Sequence, residues 1–89
     1  MKMNENIDNS ININIQYFAV LQEITGCASE SISVQADSTP KTVYKRLNNQ
    51  YGLPNRNRLK VVINDSFCSW ESGLTNDDTI VFIPPVTGG

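Results

Sequence analysis

The sequence predicts an α+β domain: a mixed β-sheet with one main helix packed across one face. Three observations predict it. Segments of strict two-residue alternation lie near the start of the chain. One well-capped segment of helical period lies in the middle, and short apolar, β-branched runs close the chain. Strands and a helix that share one small core pack most simply as a sheet with the helix laid across it.

In "INIQYFA", Ile11, Ile13, Ile15 and Tyr17 point one way and Asn12, Asn14 and Gln16 the other, which is a strand with one buried face. "VLQEITG" is short, with Gly26 as a stop signal, and predicts one or two helical turns. "ESISVQA" alternates again, with Ile32 and Val34 inward, and its short link to the first strand favours antiparallel pairing. In "STPKTVYKRLNNQYG", Thr39 can cap, Pro40 suits the first helical position and Gly52 can end the helix. Val43, Leu47 and Tyr51 form its core stripe. "LPNRNR" reads as a polar loop and "LKVVIND" as a β-branched strand. Asn64-Asp65 turns the chain into a short strand around "SFCSW". "ESGLTNDD" is a turn-rich connection, and "TIVFI" is the last strand, ended by Pro84. This order of elements is the β-grasp, or ubiquitin-like, arrangement. The predicted organisation is a polar leader over residues 1–10, the domain over 11–83 and an extended tail over 84–89.

The last strand is unusual. Ile80, Val81, Phe82 and Ile83 are apolar on both faces, as in a central strand. One long helix covers only one face of a small sheet. The other face is then either an exposed apolar patch suited to a partner or is covered by a loop or the short helix.

Composition excludes several function classes. With 89 residues the chain is one domain, burying about two-thirds of its unfolded surface. A formal net charge of -2 gives no basic footprint for nucleic acid, and Lys41, Lys45 and Arg46 read as a solvated helix face. There is no histidine, which removes the commonest general base and metal ligand. Cys27 and Cys68 lack metal-binding spacing. They read as free thiols of a reducing, cytoplasmic compartment, with a single disulfide as the alternative. Asp65, Asp77 and Asp78 read as turn residues. No segment is apolar enough to span a membrane, and the leader lacks the apolar core of a signal peptide. No metal, bound cofactor, nucleic acid or membrane is expected.

The chain closes with "VFIPPVTGG". From Pro84 to Gly89 the arm reaches at most ~20 Å, at roughly 3.3–3.6 Å per residue. Pro84 and Pro85 favour an extended start. Val86, Thr87, Gly88 and Gly89 complete an arm whose last two residues have no Cβ and so fit a narrow channel. A carboxylate must be activated before it reacts, and this chain has neither a phosphate loop nor a metal-ligand cluster to do so. The residues thus describe a carrier or substrate acted on by another protein.

"LTNDDTIVFIPPVTGG" resembles the end of the small subunit of molybdopterin synthase, a ubiquitin-like sulfur carrier family. "QYFAVLQEITG" resembles that family's opening strand and first helix, and "VVIND" fits as well, so the resemblance runs from about Ile11 to Gly89. It implies that Gly89 is adenylated by an E1-like enzyme, which uses ATP and magnesium, and is converted to a thiocarboxylate. It implies that the tail, Pro84 to Gly88, enters the large synthase subunit and gives sulfur to cyclic pyranopterin monophosphate. A two-plus-two complex follows from the same resemblance, with no catalysis by this chain alone. The partner-facing apolar position maps onto Phe82 and Ile83. Two departures stand out: Ile83 replaces a second aromatic before the prolines, and Gln22 stands where many members have arginine. The alternatives are a protein modifier that joins Gly89 to lysine, a sulfur carrier for thiamine or tRNA thiolation, and an interaction module with a chemically silent end.

Overall fold

The computed structural model describes residues 9–84. The chain runs β1 (Ser10–Tyr17), α1 (Val20–Thr25), β2 (Ser29–Gln35), α2 (Pro40–Tyr51), a 3₁₀ turn (Arg56–Arg58), β3 (Lys60–Ile63), β4 (Ser66–Cys68) and β5 (Thr79–Ile83). The five strands form one mixed sheet in the order β2-β1-β5-β3-β4. β1 pairs antiparallel with β2 and parallel with β5, and β3 pairs antiparallel with both β5 and β4. The last strand is therefore the middle one. This is the β-grasp arrangement.

Local chemistry sets the boundaries. Thr39 caps α2 through a reciprocal pair with Thr42: each side chain takes the other residue's backbone N–H. Pro40 occupies the first turn, and Gly52, at φ 78°, ends the helix in the left-handed region. The tight β3–β4 connection places Asn64 and Asp65 at φ 50° and 73°, the paired positive values that a two-residue hairpin requires.

α2 buries Pro40, Val43, Tyr44 and Leu47 against Ile13, Ile15, Tyr17, Val61, Ile80 and Phe82 of the sheet. Tyr44 thus joins the predicted stripe, because its hydroxyl reaches the carbonyl of Pro54 at 2.6 Å. Tyr51 sits half-buried at its end. The segment read as a polar loop also contributes to the core through Leu53, and Leu59, read as the start of the next strand, is buried just past its 3₁₀ turn.

Two polar knots complete the packing. The hydroxyls of Tyr17 and Tyr51 both donate to one Glu30 oxygen, at 2.6 and 2.8 Å. Burial, then the Glu30 hydrogen bond and charge, raises the Tyr17 phenol far above its usual value. The Glu30 hydrogen bond, with some burial, pushes Tyr51 up to about 12. At the start of β5, buried Asp78 accepts from the Thr75 amide and hydroxyl and from the Asn64 side chain, at 2.8, 2.9 and 2.8 Å. Asn64 in turn accepts from the Thr79 amide. Burial alone would raise the Asp78 carboxyl, but these hydrogen bonds outweigh it and hold it below 3.8. Asp65 and Asp77 sit in turns and Asp78 directly follows one; among the described residues no group of three or more such side chains is placed to hold a metal ion.

A carboxyl held low in the folded state stabilises above its ordinary value, and that contribution disappears as pH falls through the folded value. Denaturation of wild type and Asp78→Asn between pH 6 and 2.5 should show the wild type losing stability more steeply below about pH 4. Asp78→Ala should cost about 1–3 kcal/mol at neutral pH, because it strands the Asn64 and Thr75 donors. The raised phenols have the opposite sign. They stabilise below 10.0 and lose that contribution as pH rises further, and an alkaline melting series on Tyr17→Phe should show a shallower loss.

Candidate functional site: the root of the C-terminal arm

Gly89, Gly88, Thr87, Val86 and Pro85 lie outside the described residues; Pro84 is the last within them. The structure therefore speaks to how the arm is held at its root. Ile83, just before Pro84, pairs with Lys60, and Phe82 pairs with Tyr17. The arm leaves from mid-sheet, flanked by a parallel strand on one side and an antiparallel strand on the other.

The two residues expected to face a partner part company here. Phe82 is fully buried. Its ring stacks on Trp70, with centroids 5.6 Å apart and planes 10° from parallel, and meets Tyr44 edge-on at 6.3 Å. The Arg56 guanidinium also lies over the tryptophan ring, 5.3 Å from its centroid. The reading of Phe82 as a partner contact is thus corrected. The two-residue alternation of β5 turns Ile80 and Phe82 toward α2, and turns Val81 and Ile83 to the open side. Ile83 is half-buried there.

The open side carries an apolar patch. A row of paired residues crosses the sheet from Gln16 through Val81 and Val62 to Phe67. Phe67 is 74% exposed, and Phe18, just past the end of β1, is 53% exposed. Of the two possibilities the sequence left open for this face, the structure shows the exposed one. Val62, Phe67 and Phe18 were not singled out beforehand. The signal available was the doubled valine of "KVVI", apolar on both faces like the last strand. Between Phe18 and the exposed Val20, Ala19 holds φ 54° and ψ -129°, a conformation that costs a residue with a Cβ of order 1–3 kcal/mol. This strained corner lies at the same end of the sheet as the arm, since β1 and β5 run parallel and finish together.

Neither cysteine belongs to this arrangement. Both thiols are free. Cys27 precedes edge strand β2 and Cys68 ends edge strand β4, at opposite margins of the sheet. No disulfide can join them in this fold. Gln22 is exposed on α1 and holds no tertiary hydrogen bond through its side chain among the described residues.

The structure thus gives a central strand that leads to Pro84 and an exposed apolar face beside it. The fold is that of ubiquitin-like carriers and modifiers, and comparison with known proteins narrows it further. Residues 15–89 match the ThiS family. The molybdopterin synthase sulfur carrier subunit of Haemophilus influenzae is 33% identical over 82 residues, spanning 86% of this chain and 99% of the relative. Among solved structures, the HVO 2177 protein of Haloferax volcanii superposes with a TM-score of 0.83 at 23% identity, over 98% of this chain and 94% of its own. Small archaeal modifier protein 1 of the same organism gives 0.74 at 18% identity, over 85% and 99%. The chain belongs to the ThiS family.

Two substitutions separate the roles of adjacent residues in β5. Phe82→Ala should lower unfolding free energy by about 3–5 kcal/mol in a denaturant titration, through loss of the stacked ring. Ile83→Ala should cost about 1 kcal/mol or less, because its side chain is only partly withdrawn from water.

Proposed function

We propose that this chain is the sulfur-carrying small subunit of a molybdopterin synthase. The observation that carries the reading is the 33% identity to such a subunit across 99% of its length, in a chain that ends in "PPVTGG". The geometry supports it: the arm is rooted in the centre of the sheet beside an exposed apolar face.

In this proposal the Gly89 carboxylate attacks the α-phosphorus of ATP in an E1-like enzyme, with release of pyrophosphate. A persulfide then attacks the acyl-adenylate carbonyl, AMP leaves, and reductive cleavage of the sulfur–sulfur bond by a thiol of the sulfur-supplying enzyme leaves a thiocarboxylate. ATP and magnesium belong to that enzyme. The arm next enters the large synthase subunit and its sulfur passes to cyclic pyranopterin monophosphate, with Gly89 returned as a carboxylate. Glycine suits both attacks because no side chain shields the carbonyl carbon. Val81, Ile83, Val62, Phe67 and Phe18 form the face on which the partner sits, so Ile83 keeps its assigned role and Phe82 supports it from inside. The chain supplies the reacting group, the large subunit supplies the catalysis, and the complex has two copies of each in the cytoplasm.

A second reading has its own support. The fold likeness to small archaeal modifier protein 1 favours aminolysis of the same activated glycine by a lysine. The carbonyl chemistry is shared and only the nucleophile differs.

Intact mass of the chain coexpressed with its activating enzyme separates these readings. A species heavier by the difference between one sulfur and one oxygen, mapped to Gly89, is the expected result. Lysine-linked conjugates without that species would favour the modifier. Free acid alone, with enzyme and ATP present, would overturn both. Deletion of Gly89 should abolish sulfur transfer and leave the melting temperature unchanged, since the core closes at Phe82.

A further inference from the structure

The sheet has two edges, and they differ. β4 is three residues long, whereas β2 runs for seven, Ser29–Gln35, without a proline, a lysine or a bulge. Natural sheets usually shield such an edge. The register shows which groups are open. Ala28 accepts from Tyr17 and Ala36 donates to Asn9, so the even-numbered backbone groups of this stretch face β1. The odd-numbered ones face outward. Of these, the Gln35 carbonyl accepts from Ser38 and the Ser33 carbonyl accepts from Arg46. The amides of Ser29, Ser31, Ser33 and Gln35 and the carbonyls of Ser29 and Ser31 are left facing away from the sheet.

Among the described residues, the Arg46 side chain reaches this edge, donating to the Ser33 carbonyl at 2.6 Å. It comes from the exposed face of α2, next to exposed Lys45. Among the described residues the only ion pair is Lys41 with Glu71, so Arg46 has no carboxylate partner there. Glu30, the one acid on β2, is already occupied by two tyrosines. The reading of Lys41, Lys45 and Arg46 as a plain solvated face therefore needs amending at Arg46.

We propose that the β2 edge takes an added strand from an acidic, extended segment of a partner protein, with Arg46 as the latch. An incoming amide replaces the guanidinium on the Ser33 carbonyl, and the displaced guanidinium needs an anion. A carboxylate on the side of the new strand facing α2 meets Arg46 and Lys45. An apolar residue two positions away covers half-buried Ile32. Short polar residues fit the opposite side, which continues the row of Ser29, Ser31 and Ser33. Backbone pairing supplies affinity in this mode and the side chains supply selectivity. Two molecules of this chain fit less well edge to edge, since each would bring its own Arg46 and Lys45 to the seam. The edge is separated from the apolar face and from the root of the arm by β1, so a protein bound there leaves the arm free to react.

The test uses the full ¹⁵N-labelled chain and a capped heptapeptide, Ser-Val-Ser-Val-Ser-Asp-Ser, with lysine replacing aspartate in a control. In the free chain, the amides of Ser29, Ser31 and Ser33 should exchange with solvent faster than those of Glu30, Ile32 and Val34. With millimolar aspartate peptide they should shift and become protected. The lysine peptide should bind about tenfold more weakly, the effect of one lost charge-assisted hydrogen bond. Arg46→Ala should remove that difference. Ser31→Pro deletes one outward amide and leaves the backbone bonds to β1 intact, giving up only the exposed bond from the Ser31 hydroxyl to Asn14, so it should fold and lose the peptide. Protected odd-numbered amides in the free chain, peptide shifts confined to the open face or absent, equal binding of both peptides, or self-association through β2 would each overturn the proposal.

Discussion

The parallel pairing of β1 with β5 is the constraint on which the rest of the structure depends. Antiparallel neighbours can follow each other through a tight turn, but parallel ones need a long crossover. Here everything from Phe18 to Asp78 lies between the paired strands. That interval contains α2, which covers one face, and the β3–β4 hairpin, which supplies the other neighbour of β5. Placing the final strand at the centre has a direct result. The end of β5 is held from both sides, with Phe82 beside Tyr17 and Ile83 beside Lys60.

β5 is fixed at both ends by different chemistry. At its start, Asp78 gathers Asn64 and Thr75, and the turn before it is tied to β1 through Asn12, which meets Asn76 and Asp77 at 2.8 and 2.7 Å. At its finish, Phe82 sits in an aromatic ladder with Tyr44, Trp70 and the guanidinium of Arg56. The polar knot sets the register of the strand and the ladder closes the core. A one-residue slip would turn Phe82 out to solvent and Ile83 inward. Order at the root of the arm is thus secured from the buried side of the sheet and from the start of the strand.

Much of this was legible in the sequence because period decides facing. The alternation at Ile11, Ile13, Ile15 and Tyr17 gave the buried side of β1, and Thr39, Pro40 and Gly52 marked the ends of α2. The unbroken apolar run of "TIVFI" pointed to a central strand and left open whether its far side was covered. It did not reveal which of Phe82 and Ile83 took that side, because a run apolar on both faces carries no phase information. The phase comes from Trp70, which was read with the short strand around "SFCSW" and lies just past the end of β4. The Tyr17–Glu30–Tyr51 cluster and the contact from Arg46 to Ser33 were equally invisible. Each joins residues distant in sequence through side chains whose types are common at surfaces. The arm was the clearest functional signal in the sequence, and it lies where the structure describes only the root.

The parallel arrangement also has a mechanical consequence. A force drawn along the chain beyond Ile83 runs along β5 and in line with the strands beside it. The interstrand hydrogen bonds lie across that direction and share the load together, as a sheared seam does, whereas a peeled edge strand gives up its bonds one at a time. Phe82, two residues inside the arm, acts as a stop in the core. A pull along β5 is therefore borne by its bonds to β1 and β3 together.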